Sequence, residues 1–327
     1  MKSINHLNDD NILIKSDYDL FNEVVGNSIQ DLKKKLLLKD SNFINDVFSN
    51  KKFISDTELN IMGLHIYRIL LSHRVWKFKE PCTDIAKEYF DTGAVLINNF
   101  LPTDYFDSLK EFCNTTIEQN FPDGGRPKIN ARELFLENPK FIEIVKSCAN
   151  VDSLRANDNF GGYPNTELLY FKHLPGDDSS KSWEKEKQYK FHTDTFQPCF
   201  KCWLYLDDVG MDEGPFNFVV GSNKINFRRL SWDYESSLIS TEKYSYLKKE
   251  RDSDGSGSFR INEIASYVDE KNQINDLGYR EIKSYPSKSN SLLIANPFGF
   301  HKRGVGKTGV FRKTIHSQYR RLPFNIY

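Results

Sequence analysis

Apolar residues recur at helical spacing through the first eighty positions, and from about Ile85 they regroup into short aromatic or β-branched runs. Asp17 to Lys39 carries Leu20, Val24, Ile29, Leu32 and Leu36, and Glu58 to Phe78 carries Leu59, Met62, Ile66, Ile69 and Leu70. Both patterns predict amphipathic helices, in which His65 and His73 read as surface or packing residues. Residues 1–80 are therefore expected to form a helical extension. Ile85 to Phe90 predicts a short helix, Gly93 to Ile97 a strand, and Thr103 to Ile117 a helix started by Thr103 and Asp104. Asn138 to Ala149 predicts another helix. Strands are predicted over Thr166–His173, Cys199–Leu206, Pro215–Val220, Ser291–Ala295 and Phe311–Arg321, each bounded by turn residues. Gly176 to Lys187 and Glu250 to Ser258 are polar enough to read as loops. No internal repeat interrupts this order.

Composition narrows the class. The chain has 327 residues, and its 45 basic and 45 acidic side chains cancel, so net charge implies no nucleic-acid partner. Lys33-Lys34-Lys35 is too short to change that. With 25 Phe and 16 Tyr there is material for a substantial core. No apolar run is long enough to cross a membrane, and Met1 to Asp17 has no basic start followed by a long apolar stretch, so no signal peptide is expected. The 5 cysteines, sparse and odd in number, suit reduced thiols and a cytoplasmic setting. Cys199-Phe-Lys-Cys202 has metal-ligand spacing, but residues three apart on a strand point to opposite faces. Asp123-Gly-Gly-Arg126 lacks the Lys-Ser/Thr of a phosphate loop.

The candidate chemistry lies in Phe191-His192-Thr193-Asp194 and in Asn296-Pro-Phe-Gly-Phe-His301. On a strand, His192 and Asp194 leave the same face. With His301 from a distant strand, which the Leu292-Leu-Ile-Ala-Asn-Pro run is expected to supply, they would form the two-histidine, one-carboxylate set that holds Fe(II) with positions left open. By itself a His-x-Asp triplet occurs by chance in many chains.

The surrounding residues strengthen it. From about Ile85 to Arg321 the chain resembles the phytanoyl-CoA dioxygenase family of Fe(II)/2-oxoglutarate oxygenases. Phe90-Asp-Thr-Gly-Ala-Val-Leu-Ile-Asn-Asn-Phe-Leu resembles that family's opening strand and turn, and Phe191-His-Thr-Asp its first metal motif. Trp203-Leu-Tyr-Leu-Asp-Asp-Val and Glu213-Gly-Pro-Phe-Asn-Phe-Val-Val-Gly-Ser-Asn-Lys resemble the stretch that follows. The family usually reads Pro-Gly-Ser-His where this chain has Val220-Gly221-Ser222-Asn223, a departure in a turn rather than at a ligand.

The resemblance implies a mainly β fold: a double-stranded β-helix (jelly roll, cupin-like) over 81–327 with flanking helices, and 226–289 inserted between core strands. It implies His192, Asp194 and His301 as iron ligands, with 2-oxoglutarate and O2 as co-substrates. Arg312, eleven residues after His301, stands where the family pairs the far carboxylate of 2-oxoglutarate. A planar guanidinium suits that task because it binds carboxylates bidentately and stays charged; the alternative is a surface strand charge. His301 and Arg312 are expected on adjacent strands joined by the Gly304–Gly309 turn. Trp203 shares a strand face with Tyr205 and is either a co-substrate contact or core packing. Tyr170 and Lys172 share a face and are weaker candidates for the same pocket.

The expected reaction is hydroxylation of a small molecule with release of succinate and CO2. Asp194 favours this over halogenation, since related halogenases replace that carboxylate; desaturation and cyclisation remain open. A jelly-roll protein that binds without turnover, or a cupin-type metalloenzyme that does not use 2-oxoglutarate, are the alternatives. The N-terminal helices are a candidate homo-oligomer contact. Nothing in the sequence names the substrate.

Overall fold

The computed structural model describes residues 83–117, 168–173, 189–194, 200–237, 273–306 and 312–319, with shorter pieces or single residues within 60–69, 119–148, 196 and 267–268. The expected N-terminal helices lie outside the described residues except for a few helical positions between 60 and 69, where His65 is buried. The expected loops 176–187 and 250–258, Cys199 and the 121–126 segment also lie outside them.

Helix α1 (Asp84–Thr92) begins where the Thr83 hydroxyl accepts the Ala86 N–H at 3.1 Å, which satisfies a donor the helix itself cannot pair. It ends at Gly93, whose left-handed φ of 86° lets its N–H reach Tyr89 O. Strand β1 (Ala94–Ile97) follows, then helix α2 (Thr103–Phe112). Its N-cap is Pro102, with no side-chain cap, and Thr103 is the first helical residue, where the helix is expected to start. The last turn of the expected helix, Cys113–Ile117, is π-helical.

Two antiparallel sheets carry the rest. One runs β1-β9-β5-β11-β3-β2 and the other β7-β4-β10-β6-β8. Their strands are β2 (Lys128–Ile129), β3 (Leu168–His173), β4 (Phe191–His192), β5 (Phe200–Tyr205), β6 (Phe216–Val219), β7 (Tyr267–Val268), β8 (Ile282–Tyr285), β9 (Ser291–Ala295), β10 (His301–Arg303) and β11 (Arg312–Tyr319). The chain crosses between sheets from β3 to β4 to β5 to β6, pairs β6 with β8, then crosses again from β8 through β9 and β10 to β11. This winding is that of a jelly-roll-like core. Two of its strands, β7 and β8, fall within 226–289, so that stretch builds sheet as well as connecting strands.

One expectation is corrected here. His301 and Arg312 do not lie on adjacent strands: β10 belongs to the smaller sheet and β11 to the larger. The glycine-rich segment between them therefore crosses from one sheet to the other instead of closing a hairpin. Nor does His301 ride on the Leu292–Ala295 strand; it opens a separate three-residue strand after a turn.

Alternation sorts the side chains into three layers. Cys202, Leu204, Leu292, Ile294 and Ile315 face α1 and α2, against Ala86, Tyr89, Phe106 and Leu109. Tyr205, Leu293 and Ala295 point the other way, toward Phe216, Phe218 and Tyr285 of the facing sheet. Behind that sheet, Phe191, Val219 and Phe300 pack on Val268, Ile274 of the short helix α4 (Gln273–Asp276), Leu277 and Tyr279.

Helix α3 (227–237) completes this back layer. Asn226 caps it, accepting the Arg229 N–H at 2.7 Å while its amide donates to Leu277 O at 2.7 Å. Arg229 is wholly buried. Its Nε donates to Asp233 at 2.9 Å, its Nη1 to Ser222 O at 3.3 Å and its Nη2 to Phe298 O at 3.2 Å. The guanidinium also sits 3.8 Å from the Phe300 ring centroid, a favourable cation–π placement. One side chain thus ties together the 219–223 turn and the 296–300 turn. Replacing it by Met strands the Asp233 carboxylate, and breaking such a pair costs about 3–5 kcal/mol. Urea unfolding of Arg229→Met is expected to show a loss of that order, with Arg229→Met/Asp233→Leu recovering much of it.

Candidate metal centre

His192 ends β4, His301 begins β10, and the two are direct partners in the antiparallel register. Residues opposite one another in such a pair project from the same face. The imidazole centroids lie 4.6 Å apart. Each ring is oriented by its own backbone: His192 Nδ1 lies 2.7 Å from Lys190 O and His301 Nδ1 2.9 Å from Gly299 O. A donor hydrogen on each Nδ1 leaves each Nε2 with its lone pair free to bind a metal.

Both Nε2 atoms face Asp194. His192 Nε2 is 3.5 Å from Oδ1 and His301 Nε2 is 3.4 Å from Oδ2. Adjacent ligands at an octahedral metal with bonds of ~2.1 Å stand about 3 Å apart; both His–Asp distances are close to that, and the three ligand atoms all lie within 4.8 Å of one another. Among the described residues, these three form the one group of histidine, cysteine and carboxylate side chains arranged to hold a metal.

Asp194 arrives by a different route from the one its spacing predicts. Strand β4 stops at His192, so strand alternation does not orient the carboxylate. Instead the Asp194 N–H donates to Pro297 O at 2.9 Å, which fixes the residue against the turn that delivers His301. That turn is held internally: Asn296 Oδ1 accepts the Phe298 N–H at 3.1 Å, and Asn296 O accepts the Gly299 N–H at 2.9 Å. Glycine is required at 299 because a Cβ there would come within 2.2 Å of the Phe218 ring.

The electrostatics favour a neutral His301 and an ionised Asp194. Burial works to raise the Asp194 carboxyl. The Lys201 ammonium and the His301 and His192 rings beside it outweigh burial and hold it well below the usual carboxylate range. Burial also lowers His301, aided by the charge of His192 and opposed by that of Asp194.

From His301 an aromatic series crosses the space between the sheets. Phe216 stacks on His301 at 5.6 Å, Trp203 lies 5.1 Å from Phe216, and His316 stacks on Trp203 at 5.4 Å. Trp203 therefore faces the interior, on the same side as Tyr205. Register sets Thr314 opposite Tyr205 and His316 opposite Trp203, so Arg312, two residues before Thr314, belongs to this inner face as well. Arg312 Nη1 donates to Gly214 O at 2.5 Å. Burial lowers its guanidinium and the neighbouring phenols of Tyr205 and Tyr189 work against that; arginine stays charged through such a shift.

Tyr170 and Lys172 pair in register with Ile315 and Lys313 of β11. Lys201, Tyr189 and Tyr205 border the inner site without having been singled out as site residues. The signal for Lys201 was its place two residues before Trp203 on the same strand.

The chain matches no protein-family model and no curated protein. Among solved structures it is similar to the epimerase SnoN in complex with Fe3+, alpha ketoglutarate and nogalamycin RO, at 13% identity over 73% of this chain and 85% of that one, with a TM-score of 0.40. It is similar to HygX from Streptomyces hygroscopicus with nickel and 2-oxoglutarate bound, at 16% identity over 71% and 83% of the two chains, TM-score 0.36. A prolyl-4-hydroxylase of Pseudomonas putida shares 12% identity over 72% and 97%, TM-score 0.39. No helix among the described residues is long and apolar enough to cross a membrane. Three described cysteines, Cys113, Cys148 and Cys202, are buried.

Two shifted groups of this site contribute to the acid response of the metal-free protein. His301 and Asp194 both bind protons more weakly folded than unfolded, so the unfolded chain takes up protons first. Stability contributed by His301 is complete above its ordinary value of 6.5 and declines as pH falls below it. That of Asp194 is present above 3.8 and is lost as pH falls through its lower folded value. Urea midpoints measured in chelator at stepped pH are expected to fall in this order, and His301→Gln should flatten the upper part of the decline.

Proposed function

We propose that the protein is an Fe(II)/2-oxoglutarate-dependent dioxygenase, akin to the phytanoyl-CoA dioxygenase family, that hydroxylates an unactivated C–H bond of a small molecule. The observation that carries this reading is the cross-strand pair His192/His301, each ring tethered at Nδ1 and turned with Nε2 toward Asp194. Two imidazoles and one carboxylate on one side of an ion are the donor set suited to non-haem Fe(II), with the opposite positions open. Bound there, iron would supply the oxygen activation that couples decarboxylation of 2-oxoglutarate, to succinate and CO2, with oxidation of the substrate.

The remaining roles belong to side chains of this chain. Arg312 holds the far carboxylate of 2-oxoglutarate, for which its inner-face position and permanent charge fit it. The Gly214 carbonyl now occupying Nη1 keeps the guanidinium oriented and leaves its other nitrogens for the ligand. Trp203 and Phe216 wall the pocket on the larger and smaller sheet respectively. The apolar cluster of Leu293, Ala295, Phe216, Phe218 and Val209 limits water around the reacting atoms.

Three measurements test this reading. Purified protein with Fe(II) and 2-oxoglutarate is expected to form succinate even without substrate; no succinate under any condition points to a binding protein. His192→Ala is expected to abolish stoichiometric metal binding, read by Co(II) titration. Arg312→Ala is expected to raise the 2-oxoglutarate requirement by at least tenfold, the scale of about 1.4 kcal/mol lost with a charged hydrogen bond. Metal binding together with an unchanged requirement in Arg312→Ala would favour a cupin-type enzyme that does not use this co-substrate.

A further inference from the structure

Lys201 is a cation set on the inner face of β5, in a layer otherwise built from Tyr205, Leu293, Ala295, Phe216 and Phe218. Register places it opposite Ala295, whose small side chain leaves a lane for the lysine stem. The stem can lie against apolar neighbours while the ammonium reaches a polar partner. That partner is Asp194: Nζ donates to Oδ2, with the side chains only 12% and 16% exposed.

The pairing matters because of how the carboxylate stands. Oδ1 lies 3.5 Å from His192 Nε2 and Oδ2 lies 3.4 Å from His301 Nε2. The two oxygens thus straddle the place where an ion held by both imidazoles would sit. Uncapped, such a carboxylate presents both oxygens at similar range and can chelate through both. A second oxygen would fill one of the positions that a two-point co-substrate and oxygen require.

We propose that Lys201 is a positioning residue that caps Oδ2 of Asp194, so that the carboxylate offers the metal Oδ1 alone. This rests on the metal centre proposed above and adds to it a reason for a lysine in an apolar layer. Lys201 does not touch the reacting atoms; it acts through Asp194. Its consequence is an open coordination position, seen in how the loaded site binds its co-substrate.

The test uses Co(II) in the full-length protein, whose d–d absorption reports coordination number without turnover. Lys201→Met is expected to hold Co(II) at least as tightly as the parent, to change the d–d spectrum toward a higher coordination number, and to bind 2-oxoglutarate about tenfold more weakly, the lower range of what outer partners of metal ligands contribute. Lys201→Arg keeps a cationic donor and is expected to preserve the parent spectrum. Should Lys201→Met fail to fold, Lys201→Leu, which likewise has no donor, carries the same readings. A parent-like spectrum with unchanged 2-oxoglutarate binding in the neutral variant overturns the capping role. So does outright loss of Co(II), which assigns Lys201 to holding the loop rather than selecting an oxygen. Absence of Co(II) binding in the parent would instead sink the metal centre, and this inference with it.

Discussion

The antiparallel pairing of β4 with β10 is the constraint on which the centre depends. It is short, with His192 opposite His301 as its register, yet it decides that two imidazoles distant in sequence leave one face together. A slip of one residue would turn one ring to the opposite face of the sheet. The slip is opposed from both sides: β10 is also paired with β6 through His301, Lys302 and Arg303, and β4 is flanked by β7. Behind the sheet, Phe191 and Phe300 are buried in the α4-facing core, so moving either histidine outward would move a phenylalanine into its place.

Much of this could be read from the sequence, and the reasons for the rest are physical. Strands β1, β3, β5, β6, β9 and β11 were legible because they are long enough, and apolar enough, to show their pattern. The whole of β9 is buried, which is why Ser291-Leu-Leu-Ile-Ala reads as a continuous apolar run. Strands of two or three residues such as β4, β7 and β10 carry no period at all, and their existence depends on partners far away in the chain. Strand β8 escaped notice because it is a sheet edge whose Ile282 is exposed, so the pattern Ile-Lys-Ser-Tyr lacks a clear buried side.

The site followed the same division. Residue types and spacing picked out His192, Asp194, His301, Arg312 and Trp203, and the structure gathers the first three and sets the other two on the inner face. What spacing did not supply was direction. Spacing puts Tyr170 and Lys172 on one face, but their partners across the ladder, Ile315 and Lys313, come from a strand far along the chain. Lys201 reads in sequence as a polar interruption of an apolar strand; its partner, seven residues earlier, lies across a change of sheet.

The turn 296–300 has a consequence for how the centre moves. Pro297 O holds the backbone of Asp194, and Gly299 O holds the ring of His301, while Arg229 grips Phe298 O from behind. Two of the three donors are thereby referenced to one rigid pentapeptide and not to each other through the sheets. When the sandwich flexes, those two donors travel as a single body, and the distances between them are the last to change. The remaining donor, His192, is referenced separately, through its rung with His301, its ring's contact with Lys190 O and the two peptide links to Asp194.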